Sequence, residues 1–121
     1  MKILAIDHIQ LAMPAGEEEK ARAFYGNILG LAEIAKPVEL ANRGGAWFRS
    51  DDVVIHMGIE ANFHPNRKAH PAFLVDDLSS FLNICQTQGI ESDTTQPPIA
   101  GFKRAHIFDP FGNRIELMEK L

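Results

Sequence analysis

The sequence predicts an α+β fold made of two copies of one small β-α-β-β-β module. Three observations predict it: the order of hydrophobic periods along the chain, the recurrence of that order about 60 residues later, and the matched positions of punctuating residues. His8 and His70 stand 62 positions apart at the openings of equivalent strands. Gly30 and Gly89 follow the two helices, 59 apart, and Phe48 and Phe108 precede equivalent turns, 60 apart. His56 and Glu116 close the modules, also 60 apart. One such module buries too little surface to stand alone, so two must join.

The elements follow in order. Residues 3–12 alternate apolar and polar, which predicts a strand broken at Pro14 and Gly16. Glu17, Glu18 and Glu19 supply the negative charge that suits a first helical turn. Ala21, Phe24, Tyr25 and Ile28 continue at helical spacing to Gly30. A short strand near 31–36 stops at Pro37, and strands over 46–49 and 53–59 flank a turn at Asp51 and Asp52. Residues 61–68 read as a linker between module one (1–60) and module two (69–121). Module two repeats the plan with a strand over 69–75 and a helix from Leu78 to about Gln88, capped by Asp76 or Asp77. Strands over 90–94, 103–108 and 114–119 complete it, the last two joined by a turn at 109–113.

Bulk properties set limits on function. With 121 residues, 45% hydrophobic and 23% charged, the chain has the composition of one ordinary globular domain. A net charge of -4 with scattered basic residues offers no footprint for nucleic acid. No apolar run reaches membrane-spanning length, and the N-terminus lacks the marks of a secretory signal, so a cytoplasmic location is expected. Cys85 lies in an apolar helical pattern and reads as a buried core thiol.

Strand side chains alternate faces, which sorts the residues into two sets. Ile9, Leu11, Val53, Ile55, Met57, Phe73, Val75, Ile115 and Leu117 form the apolar set that must lie under the helices. His8, His56, His70 and Glu116 fall on the opposite face. Imidazole nitrogens and a carboxylate oxygen are what a divalent metal such as Zn²⁺, Ni²⁺, Co²⁺, Mn²⁺ or Fe²⁺ accepts, so these four are the candidate ligands of one ion. His64 reads as a surface residue of the linker. His106 alternates with Arg104 on its strand and reads as packed or solvated, with acid–base work as the functional alternative. Trp47 and Phe48 point to opposite faces, one toward a pocket and one toward the core.

Several runs carry a family pattern: Asp7-His8-Ile9; Phe24-Tyr25 with Leu29-Gly30-Leu31; His70-Pro71-Ala72-Phe73 with Val75-Asp76-Asp77; and Phe108-Asp109-Pro110-Phe111-Gly112-Asn113 with Ile115-Glu116-Leu117. Together they resemble the vicinal oxygen chelate superfamily of glyoxalase I, bleomycin-resistance proteins, fosfomycin-resistance enzymes and extradiol dioxygenases. The resemblance implies a cupped, eight-stranded mixed sheet with the helices on its outer face. It also implies His8, His70 and Glu116 as metal ligands, and places His56 where glyoxalase I has a glutamate. The activity it implies is that of a glyoxalase I-like lyase or isomerase, in which the metal stabilises an enolate or oxyanion of a small-molecule substrate and Glu116 moves a proton. Other members suggest a metal-free drug-binding protein of the bleomycin-binding type, a dioxygenase, or a fosfomycin-type thiol transferase. Short two-module members commonly form homodimers whose sites are shared between chains.

Overall fold

Hydrogen bonding between strands is what organises the chain, and it does so twice. The computed structural model describes all 121 residues, which divide into two compact units, Met1–His64 and Pro65–Leu121. The first unit contains β1 (Ile9–Met13), a helix that begins as α1 (Glu18–Ala21), β2 (Ala32–Ile34), β3 (Ala46–Ser50) and β4 (Val53–Ile59). The second contains β5 (Ala72–Leu74), α2 (Leu78–Thr87), β6 (Ser92–Asp93), β7 (Phe102–Phe108) and β8 (Arg114–Lys120). The strand orders are β1-β4-β3-β2 and β5-β8-β7-β6. In each sheet the first and last strands pair in parallel and the remaining neighbours are antiparallel. These are two mixed four-stranded sheets of one design, the α+β architecture that the duplicated sequence predicts.

The core of each unit lies on the face predicted from alternation, except that Val53 at the start of β4 is exposed and Ile9, Phe73 and Val75 are half-buried. Leu11, Met13, Phe48, Ile55 and Met57 are buried in the first unit with Phe24 and Tyr25 of the helix. Ala105, Ile107, Ile115 and Leu117 are buried in the second with Leu78 and Cys85. Burial raises the pKa of the Cys85 thiol, which keeps it an inert core residue. In the first helix, α1 widens after Ala21 into a π-helical stretch over Arg22–Ile28, marked by the bond from Leu29 N–H to the Phe24 carbonyl at 2.9 Å. Asp77 caps α2 by accepting from Ser80 N–H at 2.9 Å.

Two first strands are shorter than alternation predicts. Residues 1–8 lie outside any strand, because the parallel ladder begins only at Ile9 opposite Ile55. Ile3, Leu4 and Ile6 are left exposed. In the second unit Pro71 has no N–H to give to a ladder, and β5 starts after it. His8 and His70 therefore both sit just ahead of their strands.

Backbone conformation makes two glycines unequal. Gly30 and Gly45 both have positive φ, +75° and +77°, but a Cβ at Gly30 meets nothing within 4 Å, whereas one at Gly45 would run into the Met57 carbonyl oxygen. Gly30→Ala should cost about 1–2 kcal/mol, the left-handed penalty alone. Gly45→Ala should cost clearly more, because backbone must move. Urea unfolding of the two variants checks the ordering, and equal losses would contradict it.

Candidate metal centre

The turn Asp109–Asn113 builds the site from below. Asp109 Oδ1 accepts from Phe111 N–H at 2.9 Å and Asn113 N–H at 2.8 Å, while Asn113 Nδ2 donates to Asp109 Oδ2 at 2.9 Å. This buried lock fixes the register of β7 against β8, which puts His106 directly opposite Glu116. Ahead of β5, the chain continues along the other side of β8: Glu116 N–H donates to the Pro71 carbonyl at 2.9 Å, and Arg114 N–H to that of Asn66 at 3.1 Å. His70 is thereby brought beside Glu116 from the opposite edge.

The result is one cluster. Ligand-type atoms of His70, His106 and Glu116 all lie within 4.8 Å of one another. Glu116 Oε2 is 3.3 Å from His70 Nε2 and 3.9 Å from His106 Nε2. The two imidazoles meet edge to face, with ring centroids 5.2 Å apart. Arg104 approaches the other carboxylate oxygen, Nη1 donating to Glu116 Oε1 at 2.9 Å. Its Nε and Nη2 donate to the Pro97 carbonyl at 3.0 and 2.5 Å, so the guanidinium is anchored before it reaches Glu116.

Protonation states follow from this geometry. Burial works to raise the Glu116 pKa, but the hydrogen bonds from Arg104 and His70 outweigh it and hold the carboxyl below the usual value. Burial lowers the His106 pKa, aided by the Arg114 charge and opposed by Glu116. Near neutral pH the cluster presents an ionised carboxylate and a neutral imidazole, the forms a metal requires. His106 is only 2% exposed and its Nδ1 has no hydrogen-bond partner. That atom lies on the side of the ring away from Nε2, the nitrogen turned toward Glu116, so it takes no part in the cluster. By donor chemistry and by their mutual distances, the three residues fit a divalent cation.

The four residues singled out by alternation are distributed between the units. His70 and Glu116 come together with His106, which the sequence reading ranked as packed or solvated. His8 and His56 lie in the first unit and stack on each other, with ring centroids 3.9 Å apart. Trp47 stacks on His56 at 3.6 Å and 4°, necessarily on the opposite ring face from His8. Asp7 Oδ2 stands 2.8 Å from His8 Nδ1. Burial lowers the His56 pKa, with the His8 charge adding to the effect and Asp7 opposing it. Stacking covers ring faces and leaves in-plane nitrogen lone pairs open, so it does not by itself bar either histidine from ligation. His64 is exposed.

A signal for His106 was present in the hairpin. A turn at 109–113 closed by the pair Phe108–Arg114 sets every later pair, and counting outward reaches His106 opposite Glu116. The same count from Ser50–Val53 places Trp47 opposite His56.

Comparison with known proteins gives this site a lineage. The Glyoxalase/Bleomycin resistance protein/Dioxygenase superfamily model matches residues 5–117. The chain belongs to that superfamily. Among solved structures, the superfamily member resembles a glyoxalase family protein from Bacillus anthracis at 48% identity, covering 100% of this chain and 98% of that one, with TM-score 0.90. It shares its fold with the fosfomycin resistance protein FosX from Listeria monocytogenes, crystallised with Mn(II) and sulfate ion, at 19% identity, 99% and 93% coverage and TM-score 0.80. TnmS3, an antibiotic binding protein from Streptomyces sp. CB03234, has the same fold at 22% identity, 98% and 100% coverage and TM-score 0.70. No curated protein matches the chain. No helix in this superfamily member is long and apolar enough to cross a membrane.

Two measurements follow. Arg104→Met should raise the Glu116 pKa, read as a shift of the carboxylate ¹³C titration toward higher pH; an unchanged midpoint would contradict the charge pairing. Because burial holds the folded-state pKa of His106 below the ordinary histidine value of 6.5, the unfolded chain binds more protons as pH falls. The corresponding stability is fully present above 6.5 and is lost as pH drops below it toward the folded value. His106→Phe should flatten that part of the metal-free stability profile, and an unaltered slope would contradict it.

Proposed function

We propose that this superfamily member is a metal-dependent enzyme, a glyoxalase I-like lyase or isomerase acting on a small molecule with two neighbouring oxygens. The observation that carries the reading is the His70–His106–Glu116 cluster, with its ionised carboxylate and neutral His106 at rest. A divalent cation held there would supply Lewis acidity to the substrate's oxygens and acidify an adjacent C–H bond. Arg104 keeps one oxygen of Glu116 engaged, so Glu116 offers Oε2 to the site. The low pKa of Glu116 suits a ligand, and as a proton acceptor it would serve only a strongly acidified carbon. The Mn(II) bound to FosX, a protein of the same fold, adds support for a divalent metal. A metal-free binder like the antibiotic-binding TnmS3 is the competing reading. Three ligand-type side chains gathered within 4.8 Å favour the enzyme.

The test is metal affinity together with turnover. Alanine at His70, His106 or Glu116 should each weaken divalent-metal affinity by about tenfold or more while circular dichroism stays unchanged. Activity against hemithioacetals, fosfomycin plus thiols, and catechols should depend on added metal. Full metal occupancy in Glu116→Ala under chelator challenge would defeat the proposal.

The same reading includes a homodimer whose sites are shared, with His8 and His56 from one chain joining His70 and Glu116 of its partner. Support comes from β1, an edge strand preceded by the exposed Ile3, Leu4 and Ile6, which is a ready surface for another chain. Mixing a His8→Ala, His56→Ala protein with a His70→Ala, Glu116→Ala protein should make about half the dimers mixed, each with one complete site. About a quarter of sites would then regain activity. No recovery despite proven exchange would exclude sharing.

A further inference from the structure

The first unit contains a second feature that the metal reading does not use. Two cavities flank the Trp47 indole. One of about 210 Å³ is walled by Gln10, Lys36, Leu40, Arg43, Trp47 and Ile59, with the backbone of Gly44 and Gly58 between them. The other, of about 550 Å³, shares Lys36 and Trp47 and adds small apolar walls at Ile34, Ala35, Ala41 and Ala46. The larger volume lies in the range of small-molecule sites, whereas the smaller has room for one functional group.

The charge lining these cavities is unbalanced. In the larger one, Arg22 and Glu33 satisfy each other, Nε donating at 2.9 and 3.1 Å to the two carboxylate oxygens. No carboxylate lines the smaller one, and neither Lys36 nor Arg43 has an ion-pair partner. The nearby Glu18 carboxylate is occupied by Gly45 N–H at 3.1 Å. Lys36 Nζ donates to the Gly44 carbonyl, which draws its ammonium toward the Arg43 side of the cavity. The indole itself is held flat by its 4° stack on His56, so one face is covered and the rest of the ring is left to the cavities. Gly44 holds a left-handed φ of +73° that favours glycine, whereas a Cβ at Gly58 would meet only the movable end of the Gln10 side chain. The exposed Arg43, a Lys36 balanced only in part by the Gly44 carbonyl and the Glu18 carboxylate, a fixed aromatic surface and small apolar walls constitute a recognition surface for one chemical class.

We propose that Trp47, Lys36 and Arg43 form a binding site for a small organic anion, its flat apolar body against the indole and its charged group between the two cations. The assignment rests on first-unit residues alone, and its indole is stacked on His56, which the shared-site reading also uses.

Trp47 is the only tryptophan in the chain, so its fluorescence reports occupancy directly. The probes are phenylacetate, its uncharged isostere phenylacetamide, and acetate, titrated into metal-free protein at pH 8. Phenylacetate should change the emission saturably, with phenylacetamide and acetate each weaker by about tenfold or more, since each lacks one half of the recognition. Lys36→Met and Arg43→Met should each weaken phenylacetate severalfold, and Arg43→Lys should restore most of the loss. Arg43 is exposed and Lys36 half-buried, and far-UV circular dichroism confirms that the variants fold. The titration uses metal-free protein, so its outcome is read apart from the metal-affinity test. Absence of saturable change, equal binding of the amide, or indifference to Lys36→Met together with Arg43→Met would overturn the proposal.

Discussion

A carboxylate taken out of water needs compensation, and in the second unit the side chain that needs it is Glu116. Its side chain is 9% exposed, so the ionised form survives only because Arg104 and His70 bond to it. That requirement explains much of the surrounding architecture. The Pro97 carbonyl anchors the guanidinium, the Asp109–Asn113 lock sets the hairpin register, and the bond from Glu116 N–H to Pro71 aligns the segment carrying His70. Removing any one of these loosens the same oxygen pair. A divalent cation would add further positive charge to a place already arranged to keep a negative one.

The two units use one backbone plan for different chemistry. Each sheet sets a first strand parallel to its last strand, and the third strand antiparallel to the last. At the matching position of the last strand stand His56 and Glu116, and opposite them Trp47 and His106. The second unit thus gathers ligand atoms around a carboxylate, while the first stacks three flat rings. Duplication preserves register, and side-chain identity at three register positions decides what each copy does. This is why matched spacing was informative about architecture and much less so about function.

Legibility in the sequence followed the range of the interactions involved. Helix and strand order, the core face of β4 and β8, the Asp77 cap and the inert Cys85 all depend on periodicity and neighbours, and all were readable. The starts of β1 and β5 were not, because each begins only opposite the third residue of its partner strand and alternation does not report where pairing begins. His106 was undervalued for a related reason: its meaning depends on the residue across the hairpin, ten positions away. Arg104 was visible as the strand neighbour of His106, but its partner was not, since its role comes from a diagonal reach to Glu116 and an anchor on the Pro97 carbonyl that no local pattern announces. The superfamily resemblance supplied His8, His70 and Glu116 together, yet the structure groups His70 and Glu116 with a different histidine.

The central claim is that His70 and His106 bind one divalent ion jointly with Glu116, and ring-nitrogen NMR addresses it most directly. In protein with ¹⁵N-labelled histidine, one equivalent of Zn²⁺ should shift one ring nitrogen of both His70 and His106, with saturation at one ion per site. In Glu116→Gln the same addition should produce much weaker shifts at both. A His106 spectrum that stays unchanged while the protein binds Zn²⁺ would contradict the account.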